Sequence, residues 1–265
     1  MARRQSKSAV LSPLEAYPAQ ARRALHILLF VGPLVVIYEL ALLALLPRHP
    51  DLLPNLAHET LLRFFATFGV AGQVLPGIVL LVVLVLWQFL SGESWRPRWA
   101  VPALMVVESL LAAMPLLIFG QLVGRVIPAA LAAVPMAPSG AAGGLDARIG
   151  ALDLAEKLVI SLGAGLYEEL VFRMLLIAVI HTVLVDIGRA SHLVGSAVAI
   201  AVSAAVFTWY HPLAGPGGAV SMQRVVFFAV AGLWFGVLFV FRGFGIAVGA
   251  HVAYDAIVAM WLLGG

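Results

Sequence analysis

The sequence predicts an all-α, polytopic membrane protein: a bundle of seven or eight transmembrane helices around a polar intramembrane cavity. Three observations carry this. First, 63% of the 265 residues are hydrophobic and 11% are charged, whereas a soluble domain carries about 25% charged residues. Second, the apolar runs are continuous rather than alternating, which excludes a transmembrane barrel and its dyad pattern. Third, six ionisable side chains stand inside three of those runs near the C-terminus. A charge at the bilayer centre costs from about 3 to more than 10 kcal/mol, and a shared polar cavity accounts for all six.

Residues 1–23 read as a basic cytoplasmic tail, with Arg3, Arg4, Lys7, Arg22 and Arg23 against Glu15. A signal peptide is not expected, because the apolar run that follows is too long and lacks a small-residue cleavage site. An N-terminal transmembrane region is assigned to 24–134. Its first span, 24–46, carries Pro33 and Glu39, and the prolines of 47–54 demand a loop. The stretch 55–68 sets Leu56, Leu61, Leu62, Phe64, Phe65 and Phe68 against His58, Glu59 and Arg63, an amphipathic pattern suited to the membrane interface. Spans follow at 74–90 and 101–121, the second containing Glu108. Residues 122–134 are apolar but interrupted by Arg125 and Pro128, and supply the eighth span if they cross. Residues 135–150, rich in Gly, Pro and Ala, form the linker to a second transmembrane region assigned to 151–265. There a helical stretch runs from Leu152 to Val185, with Gly163 and Gly165 expected to bend it. Spans at 193–210, 224–241 and 244–263 complete the chain. On a seven-span path the basic residues of the tail, Arg96, Arg98, Arg189 and Arg242 all face the cytoplasm.

The chain has no cysteine, so neither disulfides nor thiolate chemistry are available. Its net charge of +3 is spread over loops, as the positive-inside bias produces. The expected partners are therefore the lipid bilayer and a membrane-associated protein or peptide, not nucleic acid. The expected location is an integral, multi-pass one, in the cell membrane if the source is prokaryotic.

The buried ionisable residues form three short motifs: Glu168-Glu169-x-x-x-Arg173, Phe207-x-x-x-His211 and His251-x-x-x-Asp255. On an α-helix a spacing of four places two side chains on one face, so Glu169 and Arg173 can pair, as can His251 and Asp255. Glu168 is rotated about 100° from Glu169 and looks elsewhere. Antiparallel neighbours bring all three motifs to one depth, with Glu168, His211 and His251 within water-bridging distance. A carboxylate and an imidazole sharing a water can deprotonate it as it attacks a carbonyl. A second imidazole, held by an acid, can donate to the developing oxyanion. Two His and one Glu are also a zinc set, but the HExxH pattern is missing; a metal-free, cofactor-free water mechanism is favoured over zinc.

With its EELVFR, FTWYH and HVAYD motifs in this order, the chain resembles the CPBP family, the CAAX proteases and bacteriocin-processing enzymes also called Abi, over roughly 150–263. The resemblance implies an intramembrane glutamate protease. Glu168 and His211 would activate the water, His251 and Asp255 would act at the oxyanion, and Glu169 and Arg173 would support them. The family's eukaryotic branch removes the last three residues of prenylated CAAX proteins, and prokaryotic members have varied roles that include bacteriocin immunity. The family position matching Asp255 is often Asn. An ionised Asp repels an oxyanion, so Asp255 is protonated, or serves only to orient His251, or binds something else. Two other readings are a transporter or proton relay built on the same buried groups, and a non-catalytic, immunity-type binding protein.

Overall fold

The computed structural model describes residues 13–45, 56–70, 72–126, 133–134, 152–214 and 219–261. The tail before residue 13, the loop at 47–54 and the linker at 135–150 lie outside the described residues. The helices are α1 (Pro13–Ala21), α2 (Ala24–Leu45), α3 (Leu56–Thr67), α4 (Leu75–Leu90), α5 (Ala100–Val126), α6 (Leu154–Ile187), α7 (His192–Tyr210), α8 (Met222–Arg242) and α9 (Phe244–Trp261). Two short strands, β1 (Ala133–Val134) and β2 (Val220–Ser221), pair antiparallel. Helices α2, α5, α6, α7 and α8 are long and apolar enough to cross a bilayer, and α4 and α9 are shorter apolar helices packed among them.

Contacts fix the directions. Gly32 meets Leu81 and Gly77 meets Glu39, so α4 runs antiparallel to α2. At the end where α2 begins, Arg23 binds Glu93 at 2.9 Å and the Arg98 N–H reaches His26 Nε2 at 3.3 Å. Arg242 clasps Glu108 at the same end, and Tyr17 of α1 donates to that carboxylate at 2.6 Å. Helix α9 runs parallel to α5, with Gly245 on Met105, Gly249 on Ser109 and Tyr254 by Gly120. The protein is thus an integral, multi-pass helical bundle.

Four expectations are revised. Part of the basic tail, Pro13–Ala21, is helical and packs on α5. The third span continues unbroken past Arg125 to Val126. The next described residues, Ala133–Val134, pair with β2 at the start of α8, so β1 is a strand at that end and not part of an eighth crossing. Gly163 and Gly165 do not break α6. They are close-approach points: a Cβ at Gly163 would strike the Tyr38 ring, and one at Gly165 would stand 2.8 Å from the Val252 nitrogen. Helix α6 starts with a capping box, in which Asp153 accepts from the Glu156 N–H and Glu156 accepts from the Asp153 N–H.

The amphipathic stretch forms α3, tied to the bundle by His58. The ring donates from Nε2 to the Gln73 carbonyl at 2.9 Å, which leaves Nδ1 to accept from Tyr38 O–H at 2.7 Å. Burial pushes His58 below the usual imidazole range, in keeping with this neutral tautomer. The two acids within the first and third spans are both partnered: Glu108 by Arg242 and Tyr17, Glu39 by Tyr167.

Candidate active site

Helices α6, α7, α8 and α9 meet around the three motifs. Glu168 closes the α-helical part of α6; from Glu169 to Ile177 the helix widens into π-helical turns. Such turns are uncommon and concentrate at functional sites. The change of pitch falls between the two acids. Glu168 Oε2 lies 3.4 Å from His211 Nε2 and 3.9 Å from His251 Nε2, while Glu169 turns to the other side.

His211 ends α7. Its Nδ1–H donates to the Phe207 carbonyl at 2.8 Å, which fixes the tautomer and aims Nε2 at Glu168. The ring lies on Phe228 of α8, with centroids 4.1 Å apart. His251 is buried, and its ring stacks on Phe235 at 4.5 Å and 13°. Its Nδ1–H donates to Glu169 at 2.8 Å, so Nε2 faces Glu168 and also Asp255, whose Oδ2 is 3.6 Å away.

Both acids meet His251: Asp255 pairs at Nε2, as its four-residue spacing predicts, and Glu169, across the helix interface, accepts from Nδ1. Glu169 also pairs with Arg173 at 3.2 Å, both side chains fully buried. The guanidinium lies 4.2 Å from the Phe207 ring centroid and 5.5 Å from that of Phe235, and donates to the Gly232 carbonyl. Buried charge needs a partner and hydrogen bonds, and the aromatic faces add a cation–π contribution.

All six residues predicted from the motifs come together. Phe228, Phe235 and Gly232 escaped the sequence reading. A signal for them exists: the two phenylalanines are seven residues apart with Gly232 between them, one face of α8. A Cβ on Gly232 would meet the Ala204 Cα at 2.9 Å, so glycine lets α7 and α8 close up beneath the two imidazoles. Ser203 adds a bond to the Phe172 carbonyl at 2.7 Å, locking α7 to α6 beside the site.

Fold and site together define a polytopic membrane protein in which two imidazoles converge on a buried carboxylate. The profile of the type II CAAX prenyl endopeptidase Rce1-like family matches residues 151–257. The matched region, less than half of the chain, holds all three motifs and resembles CAAX-type membrane proteases, which are hydrolases. Comparison with curated proteins and with solved structures yields no match.

Proposed function

We propose that the protein is an intramembrane endopeptidase of the glutamate type, acting on a membrane-associated protein or peptide. The observation that supports it most is the approach of Glu168 Oε2 to His211 Nε2 at 3.4 Å, with the His211 tautomer set from behind by Phe207. A water held between them gives its proton to the pair as its oxygen attacks the scissile carbonyl. The carbonyl oxygen gains charge opposite His251 Nε2, which can donate once the ring carries both protons. The tetrahedral carbon then expels the amine, which takes the proton back from the pair, and the C–N bond breaks. Asp255, facing the same nitrogen, keeps the His251 ring paired between turnovers.

Two imidazoles and a carboxylate are also a zinc set. Among the described residues no group of three or more such side chains is arranged to hold a metal ion. The proposed steps use water, Glu168 and the two histidines alone.

The test is cleavage of a quenched peptide with a prenylated C-terminal CAAX sequence, in proteoliposomes of purified protein. The wild type is expected to cleave it, with and without a strong chelator. Glu168→Ala and His211→Ala should each lose about 10²–10⁴-fold, the weight of general acid–base catalysis. Equal rates in all three proteins overturn the assignment, and chelator-sensitive cleavage overturns its metal-free part.

A further inference from the structure

Beyond the catalytic groups, a protease in the membrane has a backbone problem. A peptide bond inside a helix is shielded, so the substrate must be extended, and its freed N–H and C=O groups then need partners in apolar surroundings. An exposed strand edge supplies such partners. The chain builds a strand edge at Val220, nine residues after His211, where β1 is paired with it. Leu213 and Ala214 double back on β2: the Ser221 N–H donates to the Leu213 carbonyl at 2.8 Å, and Ala214 bridges Val220. Since backbone groups alternate along a strand, the N–H and C=O of Val220 point the other way. The register places Val134 opposite Val220 and Ala133 opposite Ser221.

The edge is firmly held. Arg224 donates to the Pro212 carbonyl at 3.1 Å, and the Ser221 hydroxyl accepts from the Arg224 N–H at the start of α8. Leu213 is two residues beyond His211, so their Cα atoms are at most about 7.6 Å apart, and the outward edge of Val220 lies on the far side of β2, one strand spacing of about 4.8 Å beyond Leu213. The strand seated on this edge, Ala133–Val134, lies between α5 and the Gly-, Pro- and Ala-rich stretch at 135–150.

We propose that the outward edge of Val220 is the binding site for the extended backbone of the substrate, and that β1 occupies it as a strap which the substrate displaces. The proposal rests on the protease reading above and adds how the peptide is recognised: by main-chain pairing, with little demand on its side chains.

A reversible lock tests it. The chain has no cysteine, so Ala133→Cys with Ser221→Cys introduces the only two thiols, at a pair not joined by hydrogen bonds, where Cα atoms are roughly 4.5 Å apart and within disulfide reach. Oxidation should cut cleavage of the prenylated peptide at least about tenfold, the order of two backbone hydrogen bonds, and reduction should restore it. Val134→Pro, which removes a strap donor, should lower KM. A fluorescent version of the peptide, read by polarisation on the Glu168→Gln protein carrying the same cysteine pair, should bind more weakly when oxidised. This binding arm keeps the outcomes apart. No cleavage by the wild type together with lock-dependent binding defeats the protease reading and leaves the edge standing. Equal cleavage and equal binding in the oxidised and reduced forms overturn the edge, as does a pair that forms no disulfide.

Discussion

Glu169 is the residue on which the interior depends. One oxygen accepts from His251 and the other faces Arg173, so a single carboxylate aims an imidazole and neutralises a buried guanidinium. Glu169→Gln leaves that guanidinium unpaired, and the expected loss is about 3–5 kcal/mol of stability. Thermal unfolding in detergent reads it, and an unchanged midpoint refutes the dependence. Asp255 carries a different expectation. His251 is already oriented through Nδ1, so Asp255→Asn should keep kcat within roughly threefold of wild type on the prenylated peptide, because an amide at the open nitrogen removes negative charge from beside the oxyanion. A fall as large as that expected for Glu168→Ala would mean that the Asp255 charge itself is required. The motifs were legible in the sequence because each is local, a matter of four-residue spacing. The grip of Glu169 on His251 was not, because it joins residues 82 apart on different helices.

Among the elements, α6 departs most from its reading. Its motif spacing was interpreted on α-helical geometry, yet the helix widens at Glu169, a change that no residue in EELVFR announces. Helix α8 supplies the counterpart, with Phe228 and Phe235 as shelves for the two imidazoles and Gly232 as the gap into which Ala204 fits. Gly232→Val should cost about 1–3 kcal/mol by overpacking and lower activity as well, since the rings of both histidines rest against phenylalanines of α8; normal unfolding and normal turnover would refute the close fit. Helix α3 was read correctly as amphipathic, but its tether was not, since His58 looked like part of a solvated face. With its folded-state affinity for a proton lowered by burial from the ordinary 6.5, His58 contributes its full stability above that value and loses it as the pH falls. Hydrogen-exchange protection in α3, corrected for the intrinsic pH dependence of amide exchange, should fall on acidification in the wild type, and His58→Phe should abolish that dependence.

At the scale of the whole molecule, the number of crossings decides which compartment meets the site. Composition and apolar run length made the bundle legible, but seven against eight spans could not be settled by hydropathy, because 122–134 is apolar and broken at once. The pairing of β1 with β2 decides it, as does the cluster of Arg23, Arg98 and Arg242 at one end of the bundle. The positive-inside bias turns that end to the cytoplasm. His211, β2 and α3 then lie towards the opposite face. In intact cells an impermeant maleimide should label Thr67→Cys and spare Ser91→Cys, and the reverse pattern would invert the topology.

The turn between α8 and α9 is a single residue, Gly243, at φ 93°. Phe235 lies eight residues before it and His251 eight after it. Counted outward from that corner, the two rings reach the same depth, where they stack. The corner thus works as a vernier: one added residue there would advance His251 by about 1.5 Å and swing it about 100°, off Phe235 and out of reach of Glu169. The length of a one-residue turn, far from any reacting atom, is as much a requirement of the site as the imidazole it aligns.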